Sequence, residues 1–354
     1  MVLMTSQPPS PAQVHMVHDA ATGLEGIIVL HSTVLGPAAG GCRYWSYPSA
    51  SEMAVDAFRL AEGMSYKNAL ADLPLGGGKA VLRRTGGAVD RSRLFEAFGR
   101  AVEGLRGDYV TAEDVGTSVE DMRAVARATR HVAGLPPSGR RPGGDPSPWT
   151  ARGVFLSMKE AVRRRLDREL ADCTVAIQGV GHVGAALAVM LRDAGAKLLV
   201  ADIDPGNVDH VVRATGATAL APDAILAADA DVFAPCALGG VLSHETIGRL
   251  RARVVCGAAN NQLATSEDGA RLADKGVLYA PDYVVNAGGI INVAAEYLRW
   301  SNQAVLERVM ATGERLMRVL DLAAASGLPG NLAADQLARS TIAARAVEMQ
   351  PQAA

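Results

Sequence analysis

Apolar residues come in short runs separated by helical stretches over much of the chain. Thr174–Gln178 and Lys197–Asp202 are two such runs, with a Gly-rich turn and a helix ending near Ala194 between them. Apolar runs of this length are too short for a core helix and suit strands buried on both faces. Further short runs follow at Val232-Phe233, Val254-Val255 and Val277-Leu278. Strands alternating with helices predict a parallel, doubly wound sheet. Upstream, Ile27–His31, Lys79–Arg83 and Tyr109–Thr111 read as strands, with Lys79 leaving a Gly76–Gly78 loop and Asp114 in the loop after Thr111. Leu35–Gly41 reads as turn-rich. Ser51–Met64 puts Met53, Ala57, Leu60, Ala61 and Met64 on one helical stripe, with Glu52 in its first turn. Arg91–Leu105 and Thr150–Arg164 also read as helices. After Asn286 the pattern is helical, broken at Gly327–Gly330. Within it, Gln303–Leu320 predicts one amphipathic helix burying Val305, Val309, Leu316 and Leu320.

The chain has 354 residues, a length that favours two domains. The stretch 136–148 is dense in Pro and Gly and is the best linker candidate. Met1–Ala12 is rich in Pro and Ser and is expected to fray. Lys and Arg total 35 against 37 Asp and Glu, so the basic surplus of a sequence-independent nucleic-acid binder is missing. Cys173–Leu191 carries no charged residue and is long enough to span a bilayer, but Gln178, Gly179, Gly181, His182 and Gly184 break it. No membrane span is expected. Cys42, Cys173, Cys236 and Cys256 show no paired spacing, and Met1–Pro11 lack the pattern of a signal peptide, so a cytoplasmic protein with reduced thiols is expected. His15 and His18 form an H-x-x-H in a segment expected to be mobile, without a third ligand, and no metal site is expected.

Gly179-Val180-Gly181-His182-Val183-Gly184 fits G-x-G-x-x-G between a predicted strand and a predicted helix, the context that gives this motif meaning. Glycines there permit a tight turn and close approach of backbone to a pyrophosphate, and the helix N-terminus offers free N–H groups. Asp202 stands 18 residues beyond the last glycine, where a carboxylate accepts from an adenosine ribose and repels a 2′-phosphate. Asp204 adds negative charge, and no Arg follows closely. This favours NAD over NADP. The plainer alternative is an ordinary Gly-rich strand–helix turn.

Lys67 ends the apolar helix, Lys79 follows three glycines, and Asp114 lies in Thr111-Ala-Glu-Asp-Val-Gly116. Taken singly, Lys67 reads equally as a snorkelling helix-end residue, Lys79 as a turn flank and Asp114 as a cap or ion-pair partner.

Together these blocks resemble the glutamate/leucine/phenylalanine/valine dehydrogenases. The resemblance runs from about Ala20 to about Gln350 and rests on Leu35-Gly-Pro-Ala-Ala-Gly-Gly41, Gly63-Met-Ser-Tyr-Lys67, Leu75-Gly-Gly-Gly-Lys79, Thr111–Gly116, Ala234-Pro-Cys-Ala-Leu-Gly239, Gly257-Ala-Ala-Asn-Asn-Gln262 and Ala280–Gly289. It implies an α/β substrate and oligomerisation domain over 1–135, a Rossmann-like NAD-binding domain over 149–321, and C-terminal helices from about 322 to 354 returning to the first domain. It implies a homo-oligomer with the active site in the cleft. The implied reaction is reversible oxidative deamination of an L-amino acid to a 2-oxo acid and ammonium, with NAD accepting hydride.

By the same resemblance Lys67 holds the substrate carboxylate, Lys79 is the catalytic lysine and Asp114 moves a proton to or from the substrate nitrogen. A lysine titrates near 10.4, and burial beside a second cation would lower that value enough for Lys79 to activate water. Thr150 and Asn260 match positions at the nicotinamide, and Asn286 one near the substrate. On local sequence alone the three read as ordinary cap and turn residues.

Glutamate-specific relatives place a lysine where this chain has Ala39. The other implied lining positions, Gly40, Met64, Ala112, Ile290 and Val293, are apolar or lack a side chain. A buried second carboxylate would be unpaired there. Leucine-specific relatives usually carry Leu at the Ala39 position, so Ala39 opens space that suits an aromatic substrate, while Ile290 takes space back. A branched-chain aliphatic amino acid is therefore expected first, and phenylalanine or another aromatic, including one used in secondary metabolism, second. A catalytically idle NAD-binding regulator is the reading from another class. Its mark would be loss of Lys67, Lys79 or Asp114, and all three are present.

Overall fold

The computed structural model describes residues 12–86, 89–136 and 142–349. The chain divides into two units. The first runs to Gly144 and takes in Val293–Ser301 and the residues from Ala338 on; the second comprises Asp145–Asn292 and Asn302–Leu337.

The first unit is built from β1 (Gln13–Asp19), β2 (Leu24–Ser32), β3 (Ala38–Trp45), α1 (Ala50–Leu70), β4 (Gly76–Arg83), α2 (Arg91–Gly104), β5 (Tyr109–Glu113) and α3 (Val119–Ala126). Its sheet runs β1-β2-β4-β3-β5, with β3 parallel to β4 and β5, and β1-β2 and β2-β4 antiparallel. Side chains alternate between the faces of a strand. Ile27 and Val29 therefore pack with Met53, Ala57 and Ala61 of α1, while Ile28 and Leu30 join Leu94, Phe95, Phe98 and Met122 on the other face.

Two segments expected as loops are strands. Leu35–Pro37, with φ of 139° at Gly36, keep the first part of the turn expected over Leu35–Gly41, and β3 starts at Ala38. Ala and Gly have weak strand preference. Here pairing decides: Ala38 and Ala39 face Gly76 and Gly77 on one side and Tyr109 and Val110 on the other. Gly76–Gly78 likewise form the start of β4. A Cβ on Gly77 would collide with the backbone nitrogen of Ser65, so α1 lies directly on bare strand backbone.

Helix α1 starts earlier than expected, with the Ser49 hydroxyl accepting from the Glu52 N–H, and runs on past Lys67. The chain expected to fray lies outside the described residues up to Pro11. Beyond it β1 is an ordered strand, not a mobile segment. His15 and His18 are three apart on that strand, hence on opposite faces, and cannot share one ion.

The second unit holds α4 (Ser147–Leu166), β6 (Thr174–Gln178), α5 (His182–Asp193), β7 (Lys197–Ala201), α6 (Pro205–Thr215), β8 (Thr218–Ala219), β9 (Val232–Pro235), α7 (His244–Arg249), β10 (Val254–Val255), α8 (Asp268–Asp274), β11 (Leu278–Tyr279) and α9 (Asp282–Val285). All pairings are parallel, in the order β11-β10-β9-β6-β7-β8. This is the two-halved doubly wound order, with its switch point between β6 and β9. Residues 137–141 of the expected linker lie outside the described residues. At its other end the linker gives way to helix: α4 begins at Ser147, with Pro148 in the first turn, where a missing N–H costs little.

The chain closes with α10 (Gly288–Leu298), α11 (Asn302–Met310), α12 (Thr312–Ser326) and α13 (Gly330–Glu348). The single helix expected over Gln303–Leu320 is two, α11 and α12. Their junction is held by the Thr312 hydroxyl donating to the Val309 carbonyl at 2.7 Å, a side-chain bond that competes with helix continuation. Val305, Val309, Leu316 and Leu320 are buried as expected. Among the described residues no helix is long and apolar enough to cross a membrane.

Candidate active site

In β4, Gly77 and Lys79 are two apart and so share the α1 face. Lys79 is 5% exposed. Asp114 follows β5 directly, and its loop is fixed by Thr117, whose hydroxyl oxygen accepts from the Asp114 N–H at 2.8 Å and lies 3.1 Å from the Cys42 carbonyl. A Cβ on Gly41 would come within 2.6 Å of the Asp114 Cβ, so β3 must be bare there for the carboxylate to reach the sheet.

Lys79 Nζ meets Asp114 Oδ2 directly. The Arg43 Nε stands 3.8 Å from the same oxygen. Burial pushes the Asp114 carboxyl up, but the Lys79 ammonium and its hydrogen bond, then Arg43 and the Val115 N–H, hold it below its ordinary value. Asp114 is thus a carboxylate at neutral pH, in contact with a buried ammonium. Such a pair can bind a polar group and pass a proton between nitrogen, oxygen and water.

The end of helix α1, which bears Lys67, packs on the start of β4. Ser65 near that end abuts Gly77. The Asn68 amide fastens the helix end, donating to the Gly76 carbonyl at 2.6 Å and the Ala39 carbonyl at 3.4 Å. Lys67 is half-buried in the last turn. Ala39 is buried, and a Cβ on Gly40 would lie 3.2 Å from Met64 Cγ. Ala112 is half-buried in β5.

In the second unit, Gly179 turns with φ of 91°, and a Cβ on Gly184 would collide with the Gly179 carbonyl oxygen. No side chain caps α5, and a Cβ on Gly181 would meet nothing within 4 Å. His182 is exposed at the first position of α5, with Val183 after it and Val180 buried before it. The Asp202 carboxylate accepts from the Val180 N–H at 2.7 Å through Oδ2 and from the Asp204 N–H at 2.9 Å through Oδ1. An open, uncapped helix start beside an anchored carboxylate is what a dinucleotide's pyrophosphate and ribose require.

Asn286 is 3% exposed at the end of α9. Its amide nitrogen donates to the Ala258 carbonyl at 3.1 Å and to Asn260 Oδ1 at 2.9 Å. A backbone carbonyl only accepts, so this fixes which end of Asn286 is nitrogen. The atom of Asn260 facing it is then oxygen, and the Asn260 NH2 points the other way. The Thr150 hydroxyl donates to the Pro146 carbonyl at 3.1 Å, and a Cβ on Gly289 would lie 2.7 Å from it. Ile290 and Val293 are half-buried, three apart on α10, hence on one helix face.

The residues singled out from the sequence therefore fall into two groups. Lys67, Lys79, Asp114, Ala39, Gly40, Met64, Ala112 and Val293 belong to the first unit; Thr150, Gly179–Gly184, Asp202, Asn260, Asn286 and Ile290 belong to the second. Among the described residues no group of three His, Cys, Asp or Glu could hold a metal ion. Sequence reasoning missed Arg43. Its signal was a lone charge in the apolar Cys42–Trp45 run, which the turn expected just before it obscured.

The chain is similar to known proteins over most of its length. Residues 11–131 match the family model described as Glu/Leu/Phe/Val dehydrogenase, dimerisation domain. Residues 145–208 and 203–319 match the model described as Glutamate/Leucine/Phenylalanine/Valine dehydrogenase. Leucine dehydrogenase of Thermoactinomyces intermedius is 46% identical over 331 residues, covering 93% of this chain and 90% of that relative. Phenylalanine dehydrogenase of Bacillus thermotolerans is 40% identical over 339 residues, covering 94% and 88%. The crystal structure of L-tryptophan dehydrogenase from Nostoc punctiforme superposes with a TM-score of 0.84 at 38% identity, covering 95% of this chain and 96% of that one.

Proposed function

The chain belongs to the glutamate/leucine/phenylalanine/valine dehydrogenase family, and we propose that it carries out reversible, NAD-dependent oxidative deamination of an apolar L-amino acid, branched-chain aliphatic first. The observation that carries this reading is the buried contact between Lys79 and Asp114, made by the strand on which the Lys67-bearing end of α1 packs. An amino acid, water and the oxidised dinucleotide give a 2-oxo acid, ammonium, the reduced dinucleotide and a proton.

Bound NAD supplies the hydride acceptor. The chain's own residues do the rest. The Lys67 ammonium anchors the substrate carboxylate. Lys79, as the neutral amine once its own proton has left, takes the proton of the water that attacks the α-carbon. Asp114, ionised at neutral pH, takes the proton from the substrate nitrogen, and its contact with Lys79 gives that proton a route out. In the second unit, the open start of α5 suits the pyrophosphate, Asp202 the ribose, and the outward NH2 of Asn260 the nicotinamide carboxamide. Thr150 is assigned to the nicotinamide end and Asn286 to the substrate's vicinity.

Two anchored oxygens make Asp202 a rigid acceptor for a ribose hydroxyl. Asp202→Ala is expected to narrow the preference for NAD over NADP by at least about tenfold, the scale of one lost discriminating contact. The ratio of kcat/KM values for the two dinucleotides measures it, and an unchanged ratio removes Asp202 from the ribose.

Ala39, Gly40, Met64 and Ala112 of the first unit offer no cation to a distal carboxylate, and neither do Ile290 and Val293 of α10. Burying that charge unpaired costs several kcal/mol, so glutamate is expected to trail by about 100-fold or more. The test is kcat/KM with NAD across valine, leucine, phenylalanine, tryptophan and glutamate. A branched-chain substrate is expected to lead. An aromatic leader would favour the second reading, which the small, buried Ala39 supports. A glutamate leader overturns the pocket assignment. Silence across the panel with NAD bound would favour an idle regulator.

We assign the chain to the cytoplasm, supported by its free cysteines, and to a homo-oligomer, supported by the match of residues 11–131 to a dimerisation domain.

A further inference from the structure

We propose that Arg43 is a positioning residue for the reaction: it holds Asp114 ionised and aimed, as a second cation behind Lys79. The inference rests on the proposed deamination and adds a residue to it. Arg43 lies on β3 two residues after Gly41, hence on the same face, where Asp114 packs against bare backbone.

Its side chain is four-fifths buried, and its Nε has no hydrogen-bond partner among the described residues. That Nε faces Asp114 Oδ2 at 3.8 Å. The rest of the guanidinium is tethered. One terminal nitrogen donates to Asp56 Oδ2 at 2.9 Å. Asp56 in turn accepts from the Tyr47 hydroxyl at 2.6 Å and from Arg59 at 3.0 Å. Asp56 thus fixes the fork from α1 and leaves its free N–H directed at the catalytic carboxylate.

An arginine stays charged across the working pH range, whereas Lys79 must gain and lose a proton in the cycle. When Lys79 is neutral, Arg43 is the remaining cation holding Asp114 as an anion. The other groups around Asp114 do not replace it. Cys42 of β3 and Tyr109 of β5 are buried and neutral, burial pushing both up. Glu113 of β5 and Asp121 of α3 are acidic, and Arg91 of α2 is committed to Asp121 at 2.6 Å. Lys67 of α1 is assigned to the substrate carboxylate.

The test is the pH profile of kcat/KM for the preferred amino acid in wild type, Arg43→Gln, Arg43→Lys and Asp56→Asn, with thermal melting alongside. Arg43→Gln is expected to move the acid limb up by about 1 pH unit, the scale of one removed neighbouring charge, and, because the carboxylate loses its aim, to lower kcat at neutral pH by about tenfold. KM should change little. Arg43→Lys, which keeps the charge, is expected to restore most of the acid limb. A purely structural Arg43 would lower the melting temperature and leave the limb in place, and that result overturns the proposal. If the Gln variant does not fold, Asp56→Asn decides. It loosens the tether that aims the guanidinium, so the limb should move up, and an unmoved limb overturns the proposal. Absence of amino acid oxidation by wild type would instead refute the deamination reading itself.

Discussion

Lys79→Ala is expected to lower kcat by about 100- to 10,000-fold, the range lost with a positioned acid–base group. Lys79 is buried and its side chain meets the Asp114 carboxylate, so the variant removes both the group proposed to activate water and the proposed proton route. It also leaves Asp114 with Arg43 alone, at 3.8 Å, and breaking a buried pair this way costs about 3 kcal/mol. A lower melting temperature should accompany the loss. NAD binding, assigned to residues of the second unit, is expected to persist, which separates lost chemistry from lost fold. Lys67→Ala should behave differently, raising KM for the amino acid far more than it lowers kcat. Turnover near wild type in the Lys79 variant would contradict the assignment.

Gly77→Ala is expected to be a strongly damaging single-methyl change in the first unit. The added Cβ would collide with the Ser65 backbone nitrogen, and Ser65 is 1% exposed. A flexible side chain could swing away, but a helix backbone must move as a whole. Overpacking against backbone costs about 3 kcal/mol at the upper end of such substitutions. At roughly 2–4 °C per kcal/mol for a unit of this size, the melting temperature should fall by roughly 6–12 °C. The same shift lifts the α1 turn bearing Lys67 away from the strand bearing Lys79, so kcat/KM should fall even where the protein stays folded. Gly63→Ala is the control. It is also in α1, but its Cβ would meet nothing within 4 Å. Replacing a helix-interior glycine there should stabilise by about 0.5–1 kcal/mol. Equal melting temperatures for the two variants would remove the close approach of α1 and β4 from the explanation.

That close approach also marks where the sequence could be read and where it could not. The run Gly179–Gly184 was legible because strand, turn and helix stand next to one another in sequence, and the motif takes its meaning from that local order. Lys79 drew attention as a charge among apolar neighbours, and Asp114 as one in the loop after an expected strand. Their direct contact joins β4 to the end of β5 and has no local signature.

Leu35–Gly41 and Gly76–Gly78 misled for one reason. Glycine usually marks a turn, but here it clears space for a neighbouring helix or carboxylate within paired strands. Arg43 stayed hidden because its partner lies 71 residues further along the chain. The locking of Asn260 by Asn286 joins two loops 26 residues apart in the same way. Local patterning delivered the elements, while the charges that meet at the candidate site are set by strand order.

The most direct test of the whole account is the stoichiometry of one reaction. Wild-type protein, NAD and the preferred apolar L-amino acid would be incubated at mildly alkaline pH, and reduced dinucleotide, ammonium and 2-oxo acid measured in the same sample. The account predicts that all three appear in equal amounts and that Lys79→Ala forms none of them at a comparable rate. Reduced dinucleotide without matching ammonium, or bound NAD with no turnover of any apolar amino acid, would contradict it.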